Sequence, residues 1–221
     1  MPRDSDRVAT GIQGLDKLIQ GGFVKGSTVL LSGEAGTGKT LFSLRFLWEG
    51  LQKGEPGVYI TLEETAEDIK KDAEAFGWDF SKYEKSGKFA IIEKNLFENP
   101  ELDFLDLDRH KAKRLVMDSI SILSIFVEDQ AKLRNKLNEM IAELRRKGVT
   151  VIMVSEGTPK NPYSRLGVEE YITDAVVRLD FTPIGPQAGR NLFIKKMRRT
   201  KHSENIHPFE IGKDGIKVLS I

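Results

Sequence analysis

Residues 33–40, GEAGTGKT, constrain the fold more than any other stretch of this chain. They fit the spacing G-x-x-x-x-G-K-[ST] and close a short apolar run, STVLLSG at 27–33. A helical pattern, TLFSLRFLWEGLQKG at 40–54, follows at once. Its Leu41, Leu44, Phe46, Leu47 and Leu51 share one broad face, and Gly54 ends it. A strand, a glycine loop and a helix in that order form a cradle for phosphate. Gly33, Gly36 and Gly38 let the backbone wrap closely, with N–H groups pointing inward. The helix that starts there adds its N-terminal dipole. The predicted nucleotide-contacting run is Gly33, Glu34, Ala35, Gly36, Thr37, Gly38, Lys39, Thr40 and Leu41. Within it Lys39 reaches the β- and γ-phosphates, and the Thr40 hydroxyl ligates Mg²⁺.

The rest of the chain predicts an α/β fold around that loop. Apolar runs at 58–62, 89–93, 114–119 and 149–156 read as buried strands of a mostly parallel sheet. Amphipathic helices are expected over 65–77, with Thr65 as N-cap, and from Asp129 to Lys147, closed by Gly148. Residues 94–113 give no clear pattern. After 175 the alternation shortens, in AVVRLDF, NLFIKKM, HPFEI and GIKVLSI, which predicts antiparallel strands and hairpins. No repeat or linker marks a boundary, so residues 1–221 read as one domain.

Composition narrows the function classes. A net charge of +1 gives no global attraction to nucleic acid or anionic lipid. The chain has no cysteine, which excludes disulfides and thiolate metal sites. The N-terminal MPRDSDRVATG lacks the apolar core of a signal peptide, and no run is long enough to span a membrane, so a cytoplasmic location is expected.

Two strands end in carboxylates. RLVMD places Asp118 at the edge of the sheet where ligands sit, which makes it the second Mg²⁺ partner beside Thr40. GVYITLEET ends in Glu63 and Glu64 at the same edge. Charge at that position is explained by a carboxylate that holds and polarises an attacking water. The competing reading is that one of the two caps the helix after Thr65, while its neighbour, pointing the other way, does the chemistry.

With a catalytic acid after the second strand and none beside Asp118, the arrangement resembles the RecA-type ATPases. More narrowly it resembles the KaiC family of archaea and bacteria. The motifs that carry this are TGIQGLDKLIQGGFVKGS before the loop, LEET…FGWD at 62–79, RLGVEEYITD at 165–174, and KMRRTKH, PFEI and DGI near the end. The resemblance implies a RecA-like P-loop fold, ATP and Mg²⁺ as ligands, and a homo-oligomer, with a hexameric ring favoured and nucleotide held between subunits. It also maps the family pattern K-x-R-G-x-x-H onto Lys196, Arg198 and His202, with Thr200 between. In relatives this segment reaches the nucleotide of the neighbouring subunit, and its Lys and Arg neutralise phosphate charge there, as an arginine finger does. Arg199 stands where the family commonly has Gly, and Ala75 where a Ser is frequent.

The chain carries one ATPase unit, where the clock protein that names the family has two in tandem. In the second of those units a Ser-Thr pair just before the I-T-D segment accepts phosphate. Here Glu170 and Tyr171 hold that place, so self-kinase activity is not expected. Two further readings compete with the ATPase. One is a recombinase-like DNA-binding module resembling RadB, using Arg145, Arg146, Lys147, the 195–201 cluster and the loop at 156–167. That loop supplies only Lys160 and Arg165 as cations, so DNA is the less favoured partner. The other is an ATP-responsive scaffold with negligible turnover. A protein partner is expected, but nothing in the sequence says which.

Overall fold

The structure, a computed structural model, describes residues 6–96, 107–126, 129–184 and 187–219. A small antiparallel ribbon opens it, β1 (Arg7–Val8) on β2 (Phe23–Val24). Next come β3 (Thr28–Gly33), β4 (Gly57–Thr61), β5 (Phe89–Glu93), β6 (Arg114–Asp118) and β7 (Thr150–Glu156). Four more strands finish the chain: β8 (Ala175–Ile184), β9 (Gln187–Met197), β10 (Ile206–Gly212) and β11 (Gly215–Val218). Apart from the ribbon, all join one sheet in the order β11-β10-β9-β8-β3-β7-β6-β4-β5. Pairings from β8 to β5 are parallel, and those from β8 outward to β11 are antiparallel. This is the α/β architecture the sequence predicts.

Helices cover both faces, and strand alternation divides the core between them. Val29, Leu31, Tyr59, Val116, Ile152 and Val154 point to the face of the helix Lys39–Gln52. Leu30, Val58, Ile60, Leu115, Val151 and Met153 point to the face of the helix Gln130–Arg146, which buries Leu133, Leu137, Met140, Ile141 and Leu144. The predicted cap at Thr65 forms, and Asp129, where the sequence starts the longer helix, is the N-cap of that helix. Thr65 accepts the N–H of Asp68 at 3.2 Å and starts the helix Ala66–Glu74. Asp129 accepts the N–H groups of Ala131 and Lys132 at 2.9 and 3.1 Å.

One long side chain crosses the first of these layers. Arg114, 1% exposed, pairs with Glu55 at 2.7 Å and donates to the carbonyls of Ala9 and Phe46. It passes where Gly50 has no side chain, since a Cβ there would lie 2.4 Å from its Cδ. Short helices at Leu15–Leu18, Ser81–Lys85, Leu107–His110 and Glu169–Ile172 carry too few residues to show a period in the sequence. Half of the stretch that gives no pattern, 97–106, lies outside the described residues, as do the last two residues of GIKVLSI. Among the described residues no helix is long and apolar enough to cross a membrane.

Candidate nucleotide site

The carboxyl ends of β3, β7, β6 and β4 lie side by side, and each delivers polar side chains to the same edge. From β3 comes the loop 33–38. Gly36 and Gly38 take φ +76 and +104, in the left-handed region. A Cβ on Gly33 would lie 2.4 Å from the Leu179 carbonyl oxygen, so the strand can pass β8 only without a side chain there. Lys39 opens the helix and folds back over the loop, donating Nζ to the carbonyls of Gly33 and Glu34 at 3.0 and 2.8 Å.

Asp118 ends β6 beside this loop. Its Oδ2 accepts the Thr40 hydroxyl at 3.2 Å and the Tyr59 hydroxyl at 2.5 Å. Tyr59 lies in β4 and faces the same side of the sheet as Asp118, because Tyr59 pairs with Val116, two residues before it. Burial pushes the Asp118 carboxyl up from its usual value; the Tyr59 and Thr40 hydroxyls and Lys39 pull it back. Burial likewise lowers Lys39, against the pull of Asp118, Glu156, Glu63 and Glu34. Tyr59 is raised well above an ordinary tyrosine, first by burial and then by the Asp118 charge.

Glu63 and Glu64 stand at the rim just past β4. Neither caps the helix after Thr65, so the competing expectation for this pair fails. Thr65 receives Asp68, and the first free N–H of that helix, Ala66, goes to Glu93 at 2.6 Å. Glu64 is fixed through its backbone to the Thr61 hydroxyl. Its carboxyl is raised by partial burial and by Asp118, Asp72, Asp68 and Glu63. Glu63 faces the centre of the edge. Partial burial and then the Glu156 charge raise it, while a hydrogen bond from Ser119 and the Arg165 charge oppose the shift. A cavity of about 450 Å³ opens between these glutamates, Thr61, Thr65 and Glu93.

Glu156 and Tyr59 join the site without having been singled out by the sequence. Glu156 ends β7 directly opposite Gly33 and pairs with Arg165 at 2.8 Å. Its signal is there to be read, because VTVIMVSE is a core strand ending in a carboxylate, as GVYITLEE is. Tyr59 carries a weaker signal: a tyrosine in a fully buried strand needs a partner for its hydroxyl.

Lys196, Arg198, Thr200 and His202 lie elsewhere. Lys196 pairs with Val176, which pairs with Leu30; Arg198 N–H bonds the Asp174 carbonyl, and Asp174 N–H bonds that of Thr28. Arg198 is thus level with the first residue of β3 and the phosphate loop with the last, roughly 17 Å away along the strand. Lys196 Nζ donates to the Glu170 carbonyl at 2.7 Å, and Arg198 lies 3.8 Å from Asp174. Thr200 accepts a hydrogen bond from Arg7, and His202 Nδ1 lies 2.9 Å from the Ser203 carbonyl. The four therefore gather at the edge of the sheet opposite the phosphate loop.

The family model for the KaiC ATPase matches residues 8–102 and 106–221. A UPF0273 protein of Thermotoga maritima is 37% identical over 233 residues, 96% of this chain and 95% of that protein. The circadian clock oscillator protein KaiC of Synechococcus elongatus is 34% identical over 97% of this chain, which spans 44% of its length. The crystal structure of a KaiC-like protein from Pyrococcus horikoshii superposes with a TM-score of 0.87 at 44% identity, covering 97% of this chain and 99% of that one. With a RecA-type sheet, a phosphate loop at its carboxyl edge and a family match along nearly its whole length, the chain belongs to the KaiC family of ATPases.

Proposed function

We propose that the chain hydrolyses ATP with Mg²⁺, as one ATPase unit per subunit of a homo-oligomer that holds the nucleotide between subunits, a closed hexameric ring being favoured. The separation of Lys196 and Arg198 from their own phosphate loop carries this reading. The edge around the loop is rich in carboxylates: Asp118, Glu156, Glu63, Glu64 and Glu34 gather there, against Lys39 and Arg165. A triphosphate bound at such an edge needs further positive charge. Lys196 and Arg198 can bring it only from a second copy of the chain.

Thr40 and Asp118 fit a hard divalent cation. They offer a hydroxyl and a carboxylate oxygen 3.2 Å apart, the small protein share that Mg²⁺ takes beside phosphate and water ligands. When bound, the ion would be held by Thr40 and Asp118 and would neutralise charge that develops on the phosphates. Lys39 holds the β- and γ-phosphates. Glu63 takes the proton of a water as the water oxygen bonds to the γ-phosphorus. The bond from that phosphorus to the bridging oxygen breaks, and ADP and phosphate leave. Transfer to the chain itself is not part of the proposal. Glu170 is held by Asn161 and Ser164, and the Tyr171 ring, 63% exposed, would put its hydroxyl well beyond the reach of a threonine's.

Mixed subunits test the shared site. Lys39→Ala and Arg198→Ala are each expected to lose nearly all phosphate release alone. Mixed, they should partly recover, because some interfaces join an intact loop to an intact basic segment. No recovery despite demonstrated subunit exchange would refute the reading.

A further inference from the structure

The turn that follows β9 is strained at its centre. Arg199 sits at φ +60, a left-handed conformation that is costly for a residue with a side chain. A glycine would relieve that cost, yet here an arginine holds the shape, so something outside the turn must fix it.

Three residues from the start of the chain converge on it. Arg7, on β1, donates Nη1 to the Thr200 hydroxyl at 2.8 Å and to the carbonyls of Gly22 and Ile19 at 3.2 and 3.4 Å. Its Nη2 reaches the Arg199 carbonyl and Gln20 Oε1, both at 3.4 Å. The same Gln20 oxygen accepts the Lys201 N–H at 3.0 Å, and Gln20 is itself left-handed at φ +58. One step on, Ser203 N–H bonds the Leu18 carbonyl at 3.1 Å. The strained residue is thus gripped on its own carbonyl, and the two residues after it are gripped as well.

We propose that Arg7, seconded by Gln20, is a positioning residue: it holds the 198–202 turn in the shape that presents Arg198 to the nucleotide of a neighbouring subunit. The proposal rests on the shared-site reading above. The planar guanidinium suits the task, since its two terminal nitrogens reach Thr200 and Arg199 as a fixed fork, whereas an ammonium must make every contact from one nitrogen. The polar contacts of Arg7 named above all lie away from its own phosphate edge. Its loss should therefore leave the cis half of the site intact and spoil only what the subunit offers its neighbour.

That asymmetry gives the test. Arg7→Ala alone is expected to lower the rate of phosphate release about 10- to 100-fold, the cost of misplacing a charged group by an ångström or so. Mixed with Lys39→Ala subunits it should recover activity; mixed with Arg198→Ala subunits it should not, because both then fail in the same half. Arg7→Lys should fall between wild type and Arg7→Ala. If Arg7→Ala does not fold, Gln20→Ala, which removes the Lys201 acceptor alone, should show a milder form of the same pattern. Recovery with Arg198→Ala but not with Lys39→Ala, or wild-type activity in both variants, would overturn the proposal. Recovery of the Lys39→Ala and Arg198→Ala pair in the same series separates a wrong clamp from a wrong shared site.

Discussion

Among the carboxylates at the phosphate edge, Glu63 and Asp118 make opposite demands on protonation. As the proposed base, Glu63 must be ionised to take a proton from water. Partial burial and the nearby Glu156 raise its carboxyl, so the active form is lost as pH falls through a value above the ordinary glutamate range. The rate of phosphate release should decline on that acid limb. Glu63→Gln should retain ATP binding and lose about 10²-fold or more in turnover, with the limb gone from what remains. Glu64→Gln should cost less, since Glu63 is the one of the pair whose charge acts on Lys39. An unchanged rate in Glu63→Gln would remove it from the chemistry. Asp118 is a stability matter as well. Burial raises its carboxyl in the folded chain, so folding favours the protonated form, and that contribution is lost as pH rises through the raised value. Asp118→Asn keeps the Tyr59 hydrogen bond and discards the charge. It should raise the melting temperature of the nucleotide-free protein at pH 8 by about 2–4 °C, roughly 1 kcal/mol for a chain of this size. The gain should shrink toward pH 4, while hydrolysis is lost at every pH. A gain independent of pH would show that the buried charge is not its source.

Elements whose signal is local are legible in the amino-acid order. The strand, loop and helix around residues 33–40 follow from apolar runs and glycine spacing, and the caps at Thr65 and Asp129 from side-chain chemistry within three residues. Elements defined by distant contacts are not. The ribbon of β1 and β2 has two residues on each strand and no turn signature. The helix Glu169–Ile172 is one turn long, and the burial of Glu169 is offset by the Ser155 hydroxyl and the N–H groups of Leu166 and Val168. A glutamate buried at such a place reads as solvated in the sequence, because its partners come from β7 and the loop after it. The same holds for the site. Gly33 to Thr40, Asp118 and Glu63 each announce themselves at strand ends, whereas the bond from Tyr59 to Asp118 exists only because β4 lies beside β6, an adjacency that strand order alone decides.

At the scale of the whole molecule, the sheet sets two unlike edges against each other: phosphate loop and carboxylates at one, Arg198 and its turn at the other. No flexing of one packed core brings Arg198 across roughly 17 Å to its own loop. On the shared-site proposal, a lone subunit owns both halves and completes no site by itself. Activity per chain should then depend on protein concentration. At low concentration, where light scattering gives the monomer mass, phosphate release per chain should fall toward zero; it should climb with the assembled fraction. Nucleotide held between two subunits binds the assembly better than the monomer, so Mg-ATP should shift assembly to lower concentration. Lys39→Ala should abolish that shift through the loop, and Arg198→Ala should weaken it through the opposite edge, although neither residue touches the other within a chain. Constant activity per chain from the monomeric range to the assembled one would mean that the site is complete in a single subunit, and the separation of the two edges would then have no catalytic meaning.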